Sequence, residues 1–128
     1  LVDALRTIRF APFQAALAGV GTFDRKGVVD TLWAGVEPRD PLASLHRKID
    51  RACVAVGLPP ESRAYRPHIT LARFGRGGGL LDPFLRAHAA LASPPFPVTH
   101  FALFESHLGH EGASYRPIAH FGEGHLPD

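Results

Sequence analysis

The chain is poor in the groups that would staple or anchor it. Cys53 is the only cysteine in 128 residues. A lone thiol excludes a disulfide framework and a cysteine-based metal site, and it suits a reducing cytoplasm. Cys53 itself reads as a small buried hydrophobe. No apolar run approaches the roughly 20 residues that a bilayer-spanning helix needs, so no membrane partner is expected. Among the eight histidines there is no His-Glu-x-x-His pair and no other zinc-like spacing, so no metal is expected either. A large charge of one sign is also missing, the formal net charge being only +2. "GRGGG" from Gly75 to Gly79 lacks the Gly-Lys-Ser/Thr ending of a phosphate-cradling P-loop and reads as a flexible linker.

What is present is ordinary in bulk and uneven in detail. With 45% hydrophobic and 20% charged residues, the composition is that of a soluble globular chain. The length suits one domain, 1–128, able to bury a core without cross-links. The unevenness is local: Arg63, Arg66, Arg73 and Arg76 crowd one stretch, which suggests an anionic partner.

Along the chain, Leu1 to Arg9 has helical spacing, and "FQAALAGVGTF" followed by "VVDTLWAGV" across the turn "DRKG" reads as a β-hairpin. Asp40 stands as an N-cap with Pro41 behind it, and Leu42, Leu45, Ile49, Ala52, Cys53 and Val56 form a helical stripe that Gly57 stops. Pro67 forces Arg66 into an extended conformation and fixes the entry of a strand from His68 to Phe74. Asp82 and Pro83 start a helix over "PFLRAHAALA", which "SPPFP" breaks. Two strands then follow, Val98 to Leu108 and Ser114 to Phe121. The order predicts an α+β fold with largely antiparallel hairpins.

The segment that carries chemistry is "YRPHITLAR", Tyr65 to Arg73. In a strand, residues i and i+2 share a face, so His68 and Thr70 should stand together while Ile69 and Leu71 look inward. An imidazole moves protons near neutral pH, and a threonine hydroxyl beside it can donate to an anionic oxygen. Arg73 could add bidentate recognition of the same oxygens. Five positions from His68, however, plain alternation turns it away unless the strand ends, bulges or twists. By the same count Phe74 faces the site and could stack on a base.

"YRPHITLAR", the helix and Gly-Leu-Pro-Pro loop before it and "FALFESHLGHEGASYRPI" after it resemble the 2H phosphoesterase superfamily. In particular they resemble the RNA 2',3'-cyclic phosphodiesterases, also called 2'-5' RNA ligases. The resemblance implies a bilobed fold of two antiparallel sheets flanked by helices, with one His-x-Thr from each lobe. It implies metal-independent hydrolysis of RNA 2',3'-cyclic phosphate ends, or of nucleoside 2',3'-cyclic phosphates, to a 2'-phosphate. Two histidines serve as base and acid, with no cofactor, in a cytoplasmic monomer. His68 and Thr70 match the second His-x-Thr, with His68 as the general base, and Arg73 matches the arginine after it. Arg66 and Tyr115 are candidates for the cleft wall.

The first His-x-Thr, which in the family precedes the helix matching Leu1 to Arg9, has no counterpart here. None of His46, His88, His100, His107 and His120 has a hydroxyl residue two positions on. The expectation is therefore a domain lacking its N-terminal strand, helix and first motif strand, with backbone groups left unpaired at the resulting edge. The competing expectations are a protein that binds RNA ends without cleaving them and a ligase that runs the same site in reverse.

Overall fold

A computed structural model describes residues 1–74 and 81–122. The fold is α+β. Its helices are α1 (Val2–Arg6), α2 (Arg39–Ala55) and α3 (Asp82–Ala87), and its strands are β1 (Phe13–Arg25), β2 (Val28–Glu37), β3 (His68–Arg73), β4 (Phe96–Val98), β5 (Phe101–Gly109) and β6 (Gly112–Phe121). One sheet has the order β3-β2-β1-β4, and β5 with β6 makes a second, two-stranded one. The pairs β1–β2, β2–β3 and β5–β6 are all antiparallel.

Two compact units divide the chain. The first takes Leu1–Phe13, Ser44–Arg63 and the segment from Pro97 onward; the second takes Gln14–Ala43 and Ala64–Phe96. In the first unit Leu5, Ile8, Leu45 and Phe121 form the buried cluster, and Ile49, Ala52, Phe101, Leu103 and Ala119 pack against it. Strand alternation explains the choice, because Phe101 pairs with Phe121 and Leu103 with Ala119, putting all four side chains on one face. Beyond that point the ribbon leaves the core, and Leu108 is 89% exposed. In the second unit the buried apolar residues are Ala15, Leu32 and Ala34.

Several boundaries differ from the sequence expectation, for identifiable reasons. The first helix ends at Arg6 instead of Arg9, because the Thr7 hydroxyl donates to the Ala4 carbonyl at 2.7 Å and competes with the helical ladder. In α2 the start at Arg39 puts Asp40 in the first turn rather than at the N-cap, where its carboxylate still faces the positive end of the helix. Gly57, at φ +99°, does end that helix, with its N–H on the Val54 carbonyl at 3.0 Å. Cys53 is half-buried, not buried, and Val56 is 46% exposed.

The helix begun at Asp82 stops at Ala87, well short of Ala92, and its N-cap is Leu81. The residues beyond it are bonded elsewhere. Gly19 N–H donates to the Leu91 carbonyl at 2.7 Å and Leu17 N–H to Ser93 Oγ at 2.8 Å. Those bonds sit where the β1–β2 register slips between Leu17 and Val20, with Gly19 at φ +71° supplying the left-handed residue. "SPPFP" reads in the sequence only as a breaker, yet Phe96–Val98 forms the short strand β4. It lies at the end of the sheet order, where proline is tolerated. The linker reading of Gly75 to Gly79 lies outside the described residues. Among them, no helix is long and apolar enough to cross a membrane.

Candidate active site around His68

His68 opens β3 and pairs with Gly35 of β2, and Thr70 pairs with Trp33. Directly opposed residues of an antiparallel pair share a face, so His68, Thr70 and Trp33 stand together. The next pairs are Leu32 with Ala72 and Thr31 with Arg73, which leaves Leu71 unpaired as a β-bulge. The extra residue resets the alternation. Arg73, opposite Thr31, returns to the face of Trp33, and therefore of His68 and Thr70.

The same bulge reverses the expectation for Phe74. Its N–H donates to the Asp30 carbonyl at 2.8 Å, continuing the pairing one step past Arg73 and turning Phe74 to the opposite face. A second correction concerns the apolar pair of the motif. Ile69 and Leu71 are 47% and 50% exposed instead of buried. In the described sheet β3 is an end strand, flanked by β2 on one side only, so half of each side chain has no neighbouring strand to cover it.

The imidazole sits against an aromatic corner built by the hairpin. Phe23 meets the His68 ring edge-on, with centroids 4.9 Å apart at 89°, and the Trp33 ring centroid is 6.0 Å away. Phe23 and Trp33 lie 5.3 Å apart. A glycine makes this arrangement possible: Gly21 pairs with Trp33, and a Cβ at Gly21 would overlap the indole ring. The indole therefore lies across bare backbone. Trp33 Nε1 is buried with no hydrogen-bond partner among the described residues.

The backbone before the strand orients the imidazole. His68 Nδ1 lies 2.7 Å from the Arg66 carbonyl. A carbonyl can only accept, so Nδ1 carries the proton and the neutral ring keeps its lone pair on Nε2. Arg66 thus acts on His68 through its main chain, while its own side chain is exposed. Proline at 67 fixes that segment, and its carbonyl accepts from Val36 N–H at 3.2 Å.

Other members of the expected set belong to the first unit. Tyr115 belongs to the first unit, opposite Ser106 on β5, and is 60% exposed. Arg63 also belongs to the first unit, where its Nε binds Glu61 Oε1 at 3.2 Å. Glu61 is held below the usual carboxylate range, first by the Arg63 backbone N–H and then by its guanidinium. Tyr65, half-buried beside the motif, has its phenol pushed up by desolvation. Arg76 lies outside the described residues. Among those described, no three His, Cys, Asp or Glu side chains group as metal ligands would. Sequence reasoning missed Gly21, Phe23 and Trp33 as neighbours of His68, since they read only as strand formers. Their signal lies in the register, which brings three strands to one point.

Two antiparallel sheets with flanking helices, one sheet carrying a His-x-Thr on an end strand, define a class of protein. The chain belongs to the 2'-5' RNA ligase superfamily, which it matches over residues 1–110. Among relatives, the RNA 2',3'-cyclic phosphodiesterase of Geobacillus stearothermophilus is 33% identical over 123 residues, covering 94% of this chain and 39% of that protein. The protein of the same name from Aeropyrum pernix is 29% identical over 119 residues, covering 91% of this chain and 68% of its own length. The chain thus spans about two fifths of the first and about two thirds of the second. Of solved structures, TT0787 of Thermus thermophilus superposes with a TM-score of 0.67 at 25% identity, over 94% of this chain and 67% of that one. Escherichia coli LigT, crystallised with 3'-AMP, superposes with a TM-score of 0.70 at 23% identity, over 97% and 67%. This last likeness is one of fold.

Proposed function

We propose that the protein opens 2',3'-cyclic phosphates at RNA ends, without a metal, to leave a 2'-phosphate, and that His68 and Thr70 carry half of the reaction. The observation that carries this reading is the hydrogen bond from His68 Nδ1 to the Arg66 carbonyl, which leaves Nε2 unprotonated and able to act as a base. In the proposed step His68 Nε2 takes a proton from water as the water oxygen attacks phosphorus in line. The bond from phosphorus to the 3' oxygen breaks, and a second acid protonates that oxygen to a hydroxyl. Thr70 and Arg73, on the same strand face, donate to the phosphoryl oxygens as charge builds on them. Arg66 and Tyr115 remain proposed contacts for the nucleotide. Phe74, turned to the opposite face of β3, is left out of that set. The relatives' names support the substrate class, and the lone cysteine fits action in the cytoplasm.

The 128 residues contain no second His-x-Thr. The second reading, motivated by Arg66, Arg73 and Phe74 around the motif, is a protein that holds RNA ends without cleaving them. The test is turnover of a nucleoside 2',3'-cyclic phosphate by the full chain in excess EDTA, with the product identified by phosphorus NMR. Turnover to the 2'-phosphate, with His68→Ala slower by about 10²- to 10⁴-fold, is the expected result. Tight binding of the cyclic end without turnover would establish the second reading. Turnover that survives His68→Ala would remove His68 from the mechanism.

A further inference from the structure

The first unit contains a cavity of about 310 Å³ between the end of α1 and the end of β6. Its polar lining comes from Arg6, Arg9 and His120, the two arginines being cationic, and its apolar lining comes from Ile8, Phe10 and Phe121. Among the described residues no carboxylate lines it. All of these residues belong to the first unit, whereas His68 belongs to the second.

Arg9 is pre-positioned. Its Nη1 donates to the carbonyls of Arg6 and Ile8 at 2.9 and 3.3 Å, and its own carbonyl accepts from Lys48 Nζ at 2.7 Å. Among the described residues these bonds leave Nε and Nη2 unengaged, with three of the five N–H donors of the guanidinium available to an oxyanion. Among the described residues the Arg6 side chain is tied only to Asp3, at 3.6 Å, with both side chains largely exposed; such a pair contributes little and yields readily to a better anion. Phe10 is braced by Phe13 and Phe101, each with ring centroids 6.3 Å away, so its ring is a fixed apolar surface. Backbone closes one side at Gly122, φ +142°, where a Cβ would run into the Thr99 carbonyl and His100.

Two guanidiniums beside a braced aromatic ring, with no opposing carboxylate, match a ligand with a phosphate at one end and a flat apolar body at the other. The volume is at the small end of ligand pockets, roughly 300–1,000 Å³, which suits one nucleotide better than a length of strand. We propose that this cavity is a nucleoside monophosphate site. Arg6 and Arg9 hold the phosphate, and the base rests on Phe10. Its lining comes wholly from the first unit, and the proposal does not depend on hydrolysis at His68.

The experiment is an amide NMR titration of the ¹⁵N-labelled full chain with adenosine 5'-monophosphate, adenosine and inorganic phosphate. Adenosine 5'-monophosphate should shift the amides of Phe10, His120, Phe121 and Gly122, with adenosine and phosphate each at least tenfold weaker. Raising the salt should weaken the nucleotide. Arg6→Gln with Arg9→Gln should cost at least tenfold in affinity. Arg6→Gln alone, at an exposed position where unfolding is not a concern, should cost several-fold. Shifts confined to β3, adenosine binding as tightly as its monophosphate, phosphate alone binding as tightly, or unchanged affinity in Arg6→Gln would each overturn the proposal.

Discussion

At the scale of single residues, the smallest side chain near His68 has a large effect. Gly21 leaves the space that the Trp33 indole occupies, and Trp33 with Phe23 forms the corner against which the imidazole rests. Gly21→Ala should therefore push the indole off β1 and destabilise the fold by about 1–3 kcal/mol, as overpacking does. A urea melt checks this, and a loss well below that range would show that the corner repacks freely. Glu61 gives a prediction in pH. Its folded-state pKa lies below the unfolded value because Arg63 donates to the carboxylate. The stabilisation is thus present above the unfolded pKa and disappears as pH falls through the folded one. In a carbon-detected titration, Arg63→Ala should move the Glu61 midpoint upward; solvent screening at the surface keeps the effect on stability small.

At the scale of an element, β3 does what simple alternation cannot. With Leu71 bulged out, a strand can present His68, Thr70 and Arg73 on one face although the last two are three positions apart. Arg73→Ala should lower kcat/KM for a cyclic phosphate by about 10²-fold, as loss of one oxyanion donor does. Arg73→Lys should recover only part, since a point charge cannot make the bidentate contact. Deleting Leu71 should remove the bulge and leave Ala72 opposite Leu32 and Arg73 opposite Thr31, so Arg73 keeps its face and the rate should stay near that of the parent chain, with circular dichroism confirming an intact sheet. A rate as low as that of Arg73→Ala after the deletion would mean that Arg73 does not act from this register. Legibility follows the same line. His68, Thr70 and the proline-set strand entry could be read from local chemistry, and so could the helix stop at Gly57. The bulge could not, because it depends on which residue of β2 opposes which residue of β3. That single unknown gave Phe74 the wrong face and left the position of Arg73 open.

At the scale of the whole molecule, elements with strong periodicity were legible from the residues, whereas a fold in two parts was legible only through the family resemblance. The stripe on α2 was read correctly at Leu45, Ile49 and Ala52, which pack on the core, and wrongly at Cys53 and Val56. Periodicity names an apolar face but not how far the covering layer extends. The first unit's core is small, so Leu45→Ala should cost about 2–5 kcal/mol. Hydrogen exchange should locate the loss at Phe101, Leu103, Ala119 and Phe121 ahead of β2 and β3; uniform loss across both units would mean that they unfold together. The aromatic corner has one more consequence. Trp33 is the only tryptophan in the chain, so all indole emission originates beside His68. A cyclic phosphate bound against His68 should therefore change that emission, and the change should shrink in His68→Ala. The site carries its own optical probe of the ligand that it is proposed to bind.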